Sequence, residues 1–314
     1  MNPLFRLNLT PEGVFHYQGD KSQEKTAIVR YKDGDRLMVV LQGRLYYLSD
    51  LKHQFRLRGD NPLALVAELY QTQGEQGLSQ LEGEFALVIG DRQEKRLILC
   101  RDPLGNYPLY WRENAQGITV SSRLNALGDS PTSQINERYL AHYLSYSFAF
   151  TELPQTDTIY AHCYRLLPGQ VLTLALGKKP QTICHNSPLA NLTSITDITP
   201  PEAGQQFRTL LNQSIQERCQ FGNIGAHLSG GMDSSAVVCL AAKKRPLTTF
   251  SLVYQLKTLV KETEYIQLIC DQYPHLNTLL INGDRLLDFR WFDQPLPEHD
   301  EPYVGLFHLA LETV

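Results

Sequence analysis

Residues 228 to 235 constrain the fold of this chain more than any other segment does. They read Leu-Ser-Gly-Gly-Met-Asp-Ser-Ser and lie between apolar runs at 224–228 and 236–242. The first run predicts a short buried strand and the second a helix, so the small residues fall where a strand ends and a helix begins. Glycines let the backbone approach an anion closely, and the N–H groups at a helix start favour negative charge. The segment therefore predicts a phosphate-binding turn in an α/β domain.

A turn rich in serine and glycine can also be simple punctuation between a strand and a helix. The full string is more specific, although it is neither the G-x-x-x-x-G-K-S/T loop nor the G-x-G-x-x-G loop of dinucleotide domains. Ser229, Ser234 and Ser235 offer hydroxyl donors, and the carboxylate of Asp233 can hold Mg²⁺ directly or through water. The string resembles the S-G-G-x-D-S-S pyrophosphate loop of enzymes that cut ATP between its α and β phosphates. That resemblance implies ATP as the bound nucleotide.

The overall charge and the distribution of apolar residues exclude several classes of protein. The chain has 29 basic and 33 acidic residues, a net charge of −4, which argues against nucleic-acid binding as its main role. No stretch approaches the roughly 20 apolar residues that span a bilayer, so the sequence predicts a cytoplasmic protein that does not act at a membrane. Six cysteines without a C-x-x-C pair predict buried free thiols rather than disulfides or a zinc site.

The chain is long enough for two domains, with 314 residues of which 42% are hydrophobic. Residues 1–180 predict an α+β domain in which hairpin strands are separated by turn residues and a helix starts at Asn61-Pro62. Its predicted strands lie near 27–31, 36–41, 84–89, 96–101, 118–121 and 171–176, and its second helix near 136–146. Residues 181–200 are polar and lack periodicity, which predicts a linker.

Residues 201–314 predict a parallel α/β sheet. Thr199 and Glu202 have the spacing of a capping box, and the helix that they open carries apolar residues at helical spacing, namely Phe207, Leu210, Leu211 and Ile215. Later segments alternate as strand, helix and strand at 248–253, 262–273 and 276–281. This alternation is typical of a parallel sheet, whose ligands bind beyond the carboxyl ends of the strands. The loop at 228–235 occupies such a position.

Further motifs resemble those of the asparagine synthetase family. Residues 81–86, Leu-Glu-Gly-Glu-Phe-Ala, and 101–110, Arg-Asp-Pro-Leu-Gly-Asn-Tyr-Pro-Leu-Tyr, look like the G-x-F-A and R-D-x-x-G-x-x-P-L-Y signatures of its glutaminase-like domain. Residues 121–127 are similar to its S-S-E-x-x-A-L stretch, and 166–169 to its L-P-P-G turn. The resemblance covers roughly residues 30–314. It implies an N-terminal Ntn-hydrolase-like αββα sandwich followed by an adenine-nucleotide α-hydrolase domain.

Two departures from the family pattern predict that the N-terminal domain does not hydrolyse glutamine. The family's glutaminases carry a cysteine directly after the initiator methionine, where its thiol is the nucleophile, and this position is Asn2 here. The glutamine-holding N-G-E-x-Y-N motif reads Gln-Gly-Arg-Leu-Tyr-Tyr at residues 42–47, so its polar Asn, Glu and Asn are replaced.

Without the nucleophile, this chain resembles the β-lactam synthetases and lasso-peptide macrolactam cyclases, which keep the same architecture. The main expectation is therefore a lasso-type cyclase that adenylates a carboxylate, releases pyrophosphate and lets an amine of the same molecule attack. Its partners would be a precursor peptide or small acyl substrate and a leader-binding protein or peptidase. Two alternatives stay open: an asparagine synthetase-like amidotransferase that uses ammonia, and a non-catalytic module that binds a leader peptide or partner.

The resemblance also implies roles for particular residues. Leu228 and Val253 would contact adenine through backbone groups, Asp233 would bind Mg²⁺, and the pyrophosphate would be cradled by Ser229, Gly230, Gly231, Ser234 and Ser235. Asp300 and Glu301, in a segment similar to the family's D-E-P, would lie on the acyl-substrate side and take part in catalysis. Glu262 and Glu264 fit an acidic cluster of the family, but acidic residues at a helix start are also ordinary dipole partners.

The family's second phosphate loop, S-G-x-G-x-D-E, has no counterpart up to Val314. The resemblance therefore implies an α-hydrolase domain that is incomplete at its C-terminus. The expectation is that these 314 residues alone do not complete catalysis.

Overall fold

The chain divides into two units, each with its own sheets and core. The computed structural model describes residues 5–19, 28–33, 36–127, 134–145, 155–184, 198–254, 262–284 and 300–301. The first unit contains residues 1–192 together with 299–304, and the second contains residues 193–298 together with 305–314. The change from the first unit to the second at 192/193 falls inside the predicted linker.

Two antiparallel sheets form the first unit. The five-stranded sheet has the order β2-β1-β8-β7-β9, with strands β1 (Phe5–Leu9), β2 (Phe15–Gly19), β7 (Tyr110–Asn114), β8 (Gly117–Ser121) and β9 (Tyr164–Arg165). The six-stranded sheet has the order β11-β10-β6-β5-β4-β3, with strands β3 (Ile28–Asp33), β4 (Leu37–Tyr46), β5 (Glu82–Asp91), β6 (Arg96–Arg101), β10 (Gln170–Ala175) and β11 (Gln181–Cys184).

Alternation along the strands produces a four-layered sandwich. In β4, Met38 and Val40 face the five-stranded sheet, whereas Val39 and Leu41 face the helices α1 (Leu48–Phe55) and α2 (Pro62–Leu78). On the far side, α3 (Glu137–Ser145) and a short 3-10 helix (Leu124–Leu127) cover the five-stranded sheet. The order of layers is helix, sheet, sheet, helix, which confirms the predicted αββα sandwich.

The second unit contains a parallel sheet in the order β12-β13-β14. Its strands are β12 (Gly225–His227), β13 (Thr248–Val253) and β14 (Asn277–Asn282), and its helices are α4 (Pro200–Arg218), α5 (Met232–Ala242) and α6 (Glu262–Gln272). Helices α5 and α6 pack against the sheet through a cluster that contains Leu228, Val238 and Ile266. The predicted alternation of strands and helices is confirmed.

The structure corrects the prediction in three places. The strand predicted to be buried at 224–228 exists as β12, but Gly225 and His227 are exposed because β12 is the edge of the sheet in the described part of the chain. Residues 181–184 of the predicted linker form β11, which pairs with β10. The predicted capping box is present at the start of α4. The apolar face of this helix, however, is only partly buried, since Phe207 is 67% exposed while Ile215 is buried.

The five cysteines that the structure describes in full are free thiols, and Cys100 and Cys163 among them are buried. Across the described ranges, no helix is long and apolar enough to cross a bilayer.

Candidate functional site

The loop predicted to bind phosphate lies beyond the carboxyl end of a parallel strand. Its first residue, Leu228, continues from β12 and donates its N–H to the carbonyl of Phe250 at 2.9 Å, which ties the loop to β13. The next helix, α5, has Gly231 at its N-cap in an extended conformation and no side chain that caps it. Strand, turn and helix therefore occur in the predicted order, and the loop lies where parallel sheets bind ligands.

Hydrogen bonds between two serine side chains hold the loop in its curved shape. The Oγ atoms of Ser229 and Ser234 are 2.9 Å apart, and the Ser229 N–H donates to Ser234 Oγ at 3.1 Å. The N–H of Gly231 donates to Ser229 Oγ at 3.3 Å, and Ser234 Oγ lies 3.3 Å from the Gly231 carbonyl. Hydroxyls that only bond within the loop can exchange these partners for phosphate oxygens.

The first turn of α5 presents backbone N–H groups at the loop. An α-helix leaves its first N–H groups without intrahelical partners, and here these belong to Met232, Asp233 and Ser234. The N–H of Ser235 already donates to the Gly231 carbonyl at 3.1 Å, so its predicted contact with pyrophosphate falls to its hydroxyl. An array of donors at the positive end of a helix suits an anion.

Gly230 brings the loop close to the start of α6. Its φ of +81° lies in the left-handed region, and a Cβ at this position would be 2.6 Å from the carbonyl oxygen of Glu262. Only glycine satisfies both constraints without movement of the chain. The loop therefore packs against the first turn of α6, which contains Glu262 and Glu264. Their proposed role as an acidic cluster stays a prediction, since both side chains are exposed.

Asp233 is the residue predicted to bind Mg²⁺. It lies in the first turn of α5 and is exposed, and among the described residues it has no hydrogen bond or ion pair. Within the same residues, no group of three His, Cys, Asp or Glu side chains is close enough to hold a metal ion by itself. A single carboxylate beside bound phosphates nonetheless fits Mg²⁺, which is commonly held by one or two carboxylates and by substrate phosphates.

The two residues predicted to contact adenine lie in one apolar cluster. The side chain of Leu228 is buried, and that of Val253 at the end of β13 packs against the same group of residues. Because the Leu228 N–H is already donated to Phe250, its carbonyl is the group left for a base edge. Adenine recognition by this pair stays a prediction.

Asp300 and Glu301 make their contacts elsewhere. Asp300 pairs with Arg123 at 3.1 Å, and Glu301 pairs with Arg165 and accepts a hydrogen bond from Tyr139. All three partners belong to the first unit. No separate signal in the sequence pointed to these partners, because each lies more than 130 residues from the carboxylate that it contacts.

The signature motifs of the first unit meet in one network of hydrogen bonds. The buried carboxylate of Asp102 accepts from the N–H groups of Phe85, Leu104 and Asn106 and from Asn106 Nδ2, at 2.9 to 3.1 Å. The guanidinium of Arg101 donates to the carbonyls of Tyr107, Leu166 and Gly105, at 2.7 to 2.8 Å. These residues come from the G-x-F-A, R-D-x-x-G and L-P-P-G-like segments. The motifs therefore stabilise the first unit, because their charged side chains form hydrogen bonds with backbone N–H and carbonyl groups.

Residues 42–47, which replace the glutamine-holding motif, include a polar side chain in the interior. Gln42 is completely buried, and within the described residues neither its Nε2 nor its Oε1 has a hydrogen-bond partner. Arg44 is exposed, and Tyr47 precedes α1 with a left-handed backbone. The predicted absence of glutaminase activity stays a prediction.

Comparison with known families agrees with this architecture. A family model described as a glutamine amidotransferase domain matches residues 24–183, and one described as asparagine synthase matches residues 206–305. The second match contains the whole loop at 228–235.

Several curated relatives are named as glutamine-hydrolysing asparagine synthetases. A putative glutamine-hydrolysing asparagine synthetase of Methanocaldococcus jannaschii is 25% identical over 307 residues, which cover 93% of this chain and 59% of the relative. Asparagine synthetase 2 of Bacillus subtilis, also named as glutamine-hydrolysing, is 25% identical over 296 residues, covering 87% and 38%. A putative synthetase of Mycobacterium tuberculosis is 26% identical over 237 residues, covering 70% and 35%.

This chain thus spans between 35% and 59% of the length of these relatives. An asparagine synthase domain implies the use of ATP, in agreement with the geometry of the loop. The αββα sandwich, the glycine- and serine-rich loop at the end of β12 and the two consecutive domain matches together place this chain in the asparagine synthetase family.

Proposed function

We propose that this chain binds ATP for amide formation of the asparagine synthetase type. The observation that carries the proposal is the loop at 228–235, where hydroxyls and the N–H groups of a helix start converge at the end of a parallel strand. The match of residues 206–305 to asparagine synthase supports the same function.

In the proposed reaction, a carboxylate oxygen of the acyl substrate attacks the α-phosphorus of ATP. The bond from that phosphorus to the bridging oxygen of the β-phosphate breaks, and pyrophosphate leaves. An amine nitrogen then attacks the acyl carbon, AMP leaves with the electron pair of the acyl–oxygen bond, and the amine loses a proton. The pyrophosphate oxygens would be bound by Ser229, Ser234 and the N–H groups at the start of α5. Negative charge develops on these oxygens as pyrophosphate leaves, so donors placed there stabilise the transition state.

Asp233 would hold Mg²⁺, which offsets negative charge on the departing pyrophosphate when it is bound. The chain's own contribution is orientation: Gly230 fixes the loop against α6, and Gly231 leaves the N-cap open for the ligand. A preorganised donor array costs little reorganisation at the moment of reaction.

We propose ammonia as the nitrogen source, rather than glutamine hydrolysed in the first unit. The names of the relatives state glutamine hydrolysis for those proteins. In this chain, however, Gln42, Arg44 and Tyr47 stand where the resembling motif has the polar residues that hold glutamine. A second candidate is an amine within the substrate itself, as in macrolactam formation, because the same replacements support it. The relatives described above are all named asparagine synthetases and favour the first candidate.

The test compares thermal unfolding of the chain with and without Mg-ATP, for the wild type and for Asp233→Ala. A ligand at about 100 times its Kd stabilises the folded state by about 2.7 kcal/mol, so a clear rise in Tm is expected for the wild type and a much smaller one for the variant. Exposed Gln216→Ala on α4 is the control and should shift like the wild type.

The nitrogen source is tested by measuring pyrophosphate release by the protein with aspartate and ammonium, with aspartate and glutamine, and with neither. Release that requires aspartate and ammonium supports the proposal. Release with glutamine alone as donor contradicts it.

The unfolding experiment also tests the non-catalytic alternative. No Tm shift with Mg-ATP in the wild type would support a non-catalytic module that binds a leader peptide or partner.

A further inference from the structure

Asp300 and Glu301 lie in a short segment that groups with the first unit, although the chain on both sides of it groups with the second. Residues 193–298 and 305–314 belong to the second unit, whereas residues 299–304 belong to the first. A chain that makes such an excursion needs contacts that hold it there. The two described residues of this segment supply them through two adjacent carboxylates.

The first contact joins Asp300 to the end of β8. The Nε of Arg123 lies 3.1 Å from Oδ2 and 3.4 Å from Oδ1 of Asp300, and the N–H of Asn125 donates to Oδ1 at 3.4 Å. The pair is mostly shielded from solvent, with side-chain exposures of 26% and 16%. Arg123 is itself fixed, because its N–H donates to Ser121 Oγ at 3.0 Å. The anchor is therefore attached to the end of β8 in the five-stranded sheet.

The second contact joins Glu301 to a buried arginine. Arg165 of β9 is 1% exposed, and its guanidinium pairs with the Glu301 carboxylate. The hydroxyl of Tyr139 lies 3.2 Å from Arg165 Nη2 and 3.4 Å from Glu301 Oε2, and the guanidinium stacks 5.8 Å from the centre of the tyrosine ring. A buried guanidinium is stable only when its charge is compensated, so the segment contributes a carboxylate that this position needs.

We propose that Arg123 and Arg165 are positioning residues that clamp the Asp300–Glu301 segment in its place within the first unit. Two charge pairs on neighbouring residues fix both the place and the orientation of the segment, which one pair does not. The clamp gives the first unit a task that needs no glutamine hydrolysis. Its consequence for the reaction rests on the proposed function and on the family resemblance, which implies that this segment lies on the acyl-substrate side.

Charge reversal tests the clamp without any enzymatic readout. Backbone hydrogen exchange is measured for the peptide that contains residues 300 and 301, in the wild type and in Arg123→Glu, Asp300→Arg and the double swap. Residues in direct contact couple measurably, so each single reversal should speed exchange about fivefold or more, and the double swap should recover most of the protection. Arg138→Glu, an exposed arginine on α3, is the matched control and should leave exchange unchanged. Unchanged exchange in both single variants overturns the proposal.

Glu301→Gln tests the second pair, because it keeps the size of the side chain and removes its charge. Faster exchange of the same peptide is expected, with the folded baseline of the first unit intact by circular dichroism. Exchange equal to the wild type would show that Arg165 does not hold the segment.

The functional consequence is read from the kinetics of two substrates, aspartate and Mg-ATP. Arg123→Glu should raise the KM for aspartate about tenfold and leave Mg-ATP binding unchanged, and Arg123→Lys should recover part of the loss, because a cation at this position still attracts Asp300. Equal effects on aspartate and Mg-ATP would overturn the positioning role. A wild type that releases no pyrophosphate with aspartate and ammonium would reject the proposed function, while the exchange measurement still decides the clamp.

Discussion

Two aspartates in two glycine-containing loops have opposite environments. Asp102 in the first unit is completely buried and accepts four hydrogen bonds from residues around it. Asp233 in the second unit is exposed, and among the described residues nothing donates to it. Both belong to motifs that resemble the same family. A motif can thus support the fold when its polar groups are satisfied internally, or a ligand site when they are left to an incoming molecule.

The starts of two helices show the same difference. At α2, the Oδ1 of Asn61 accepts from the N–H groups of Leu63 and Ala64, at 3.1 and 3.0 Å. At α5, Gly231 stands at the N-cap and provides no side chain. The N–H groups at the start of α2 are satisfied by a capping side chain, whereas those at the start of α5 remain available to an anion.

The largest expected effect on stability comes from removing one of these two aspartates, Asp102. Asp102→Ala should lower the free energy of unfolding by about 3–5 kcal/mol, because it strands several buried N–H donors at once. Asp233→Ala should change it by less than about 0.5 kcal/mol, as an exposed position should. Urea denaturation of both variants measures this. Similar losses in the two variants would contradict the assignment of structural and ligand-binding roles.

A smaller effect is expected at Gly230. Gly230→Ala should cost about 1–3 kcal/mol, because a Cβ would meet the Glu262 carbonyl and the backbone conformation is left-handed. It should also abolish the Tm shift with Mg-ATP, since relief of the clash moves the loop. Gly177→Ala is the control: its φ is +68° with nothing within 4 Å of the added Cβ, so it tests backbone conformation alone. An unchanged Mg-ATP shift in Gly230→Ala would contradict the role of this close packing.

A third prediction uses a buried phenol of the first unit. Burial raises the pKa of Tyr70 to about 12, while its hydroxyl donates to Asp91 and accepts from Arg96. Because the pKa is higher in the folded state, the associated stability is complete below about pH 10 and is lost as pH rises toward 12. By pH 11 the loss should be about 1–2 kcal/mol.

Urea denaturation between pH 8 and 11 measures this loss, and Tyr70→Phe should show a shallower decline than the wild type. Tyr265→Phe, an exposed tyrosine of α6, is the comparison from the second unit and should keep the wild-type slope. Parallel slopes for wild type and Tyr70→Phe would contradict the prediction.

The smallest expected effect separates the two helix starts. Asn61→Ala should destabilise the chain by about 1 kcal/mol, because two N–H groups lose their acceptor, and should leave the Mg-ATP shift unchanged. Thermal unfolding with and without nucleotide measures both quantities. Gln73→Ala at an exposed position of α2 is the control, expected within about 0.5 kcal/mol of the wild type. A reduced nucleotide shift in Asn61→Ala would mean that the two helix starts are not independent.

Local signals in the sequence predicted most of the elements. Asn61-Pro62 begins α2, and the Thr199–Glu202 capping box precedes α4, with Thr199 N–H donating to Glu202 at 2.9 Å. Both signals act within four residues, so the surrounding fold hardly alters them. The serines of the loop at 228–235 also bond within a few residues, although its contacts with β13 and α6 come from the surrounding fold.

Long-range pairing produced the differences. Residues 181–184 form a strand because the edge of β10 is available to them, and four residues carry too little periodicity to predict it. Exposure of β12 depends on its place at the edge of the described sheet. The pairing of Arg123 with Asp300 joins residues 177 positions apart, and no spacing rule connects them.

The sequence by itself determined the order of the strands and helices, the parallel sheet of the second unit and the composition of the loop at 228–235. These depend on backbone preferences and periodicity over a few residues, which a sequence states directly. The sandwich of the first unit was expected from the resemblance of its motifs to a known family. Only the tertiary structure decided that Asp102 is enclosed while Asp233 is exposed, that Gly230 lies against α6, and that Asp300 and Glu301 face two arginines of the first unit. Burial and charge pairing depend on which distant segments meet, and folding of the whole chain settles that.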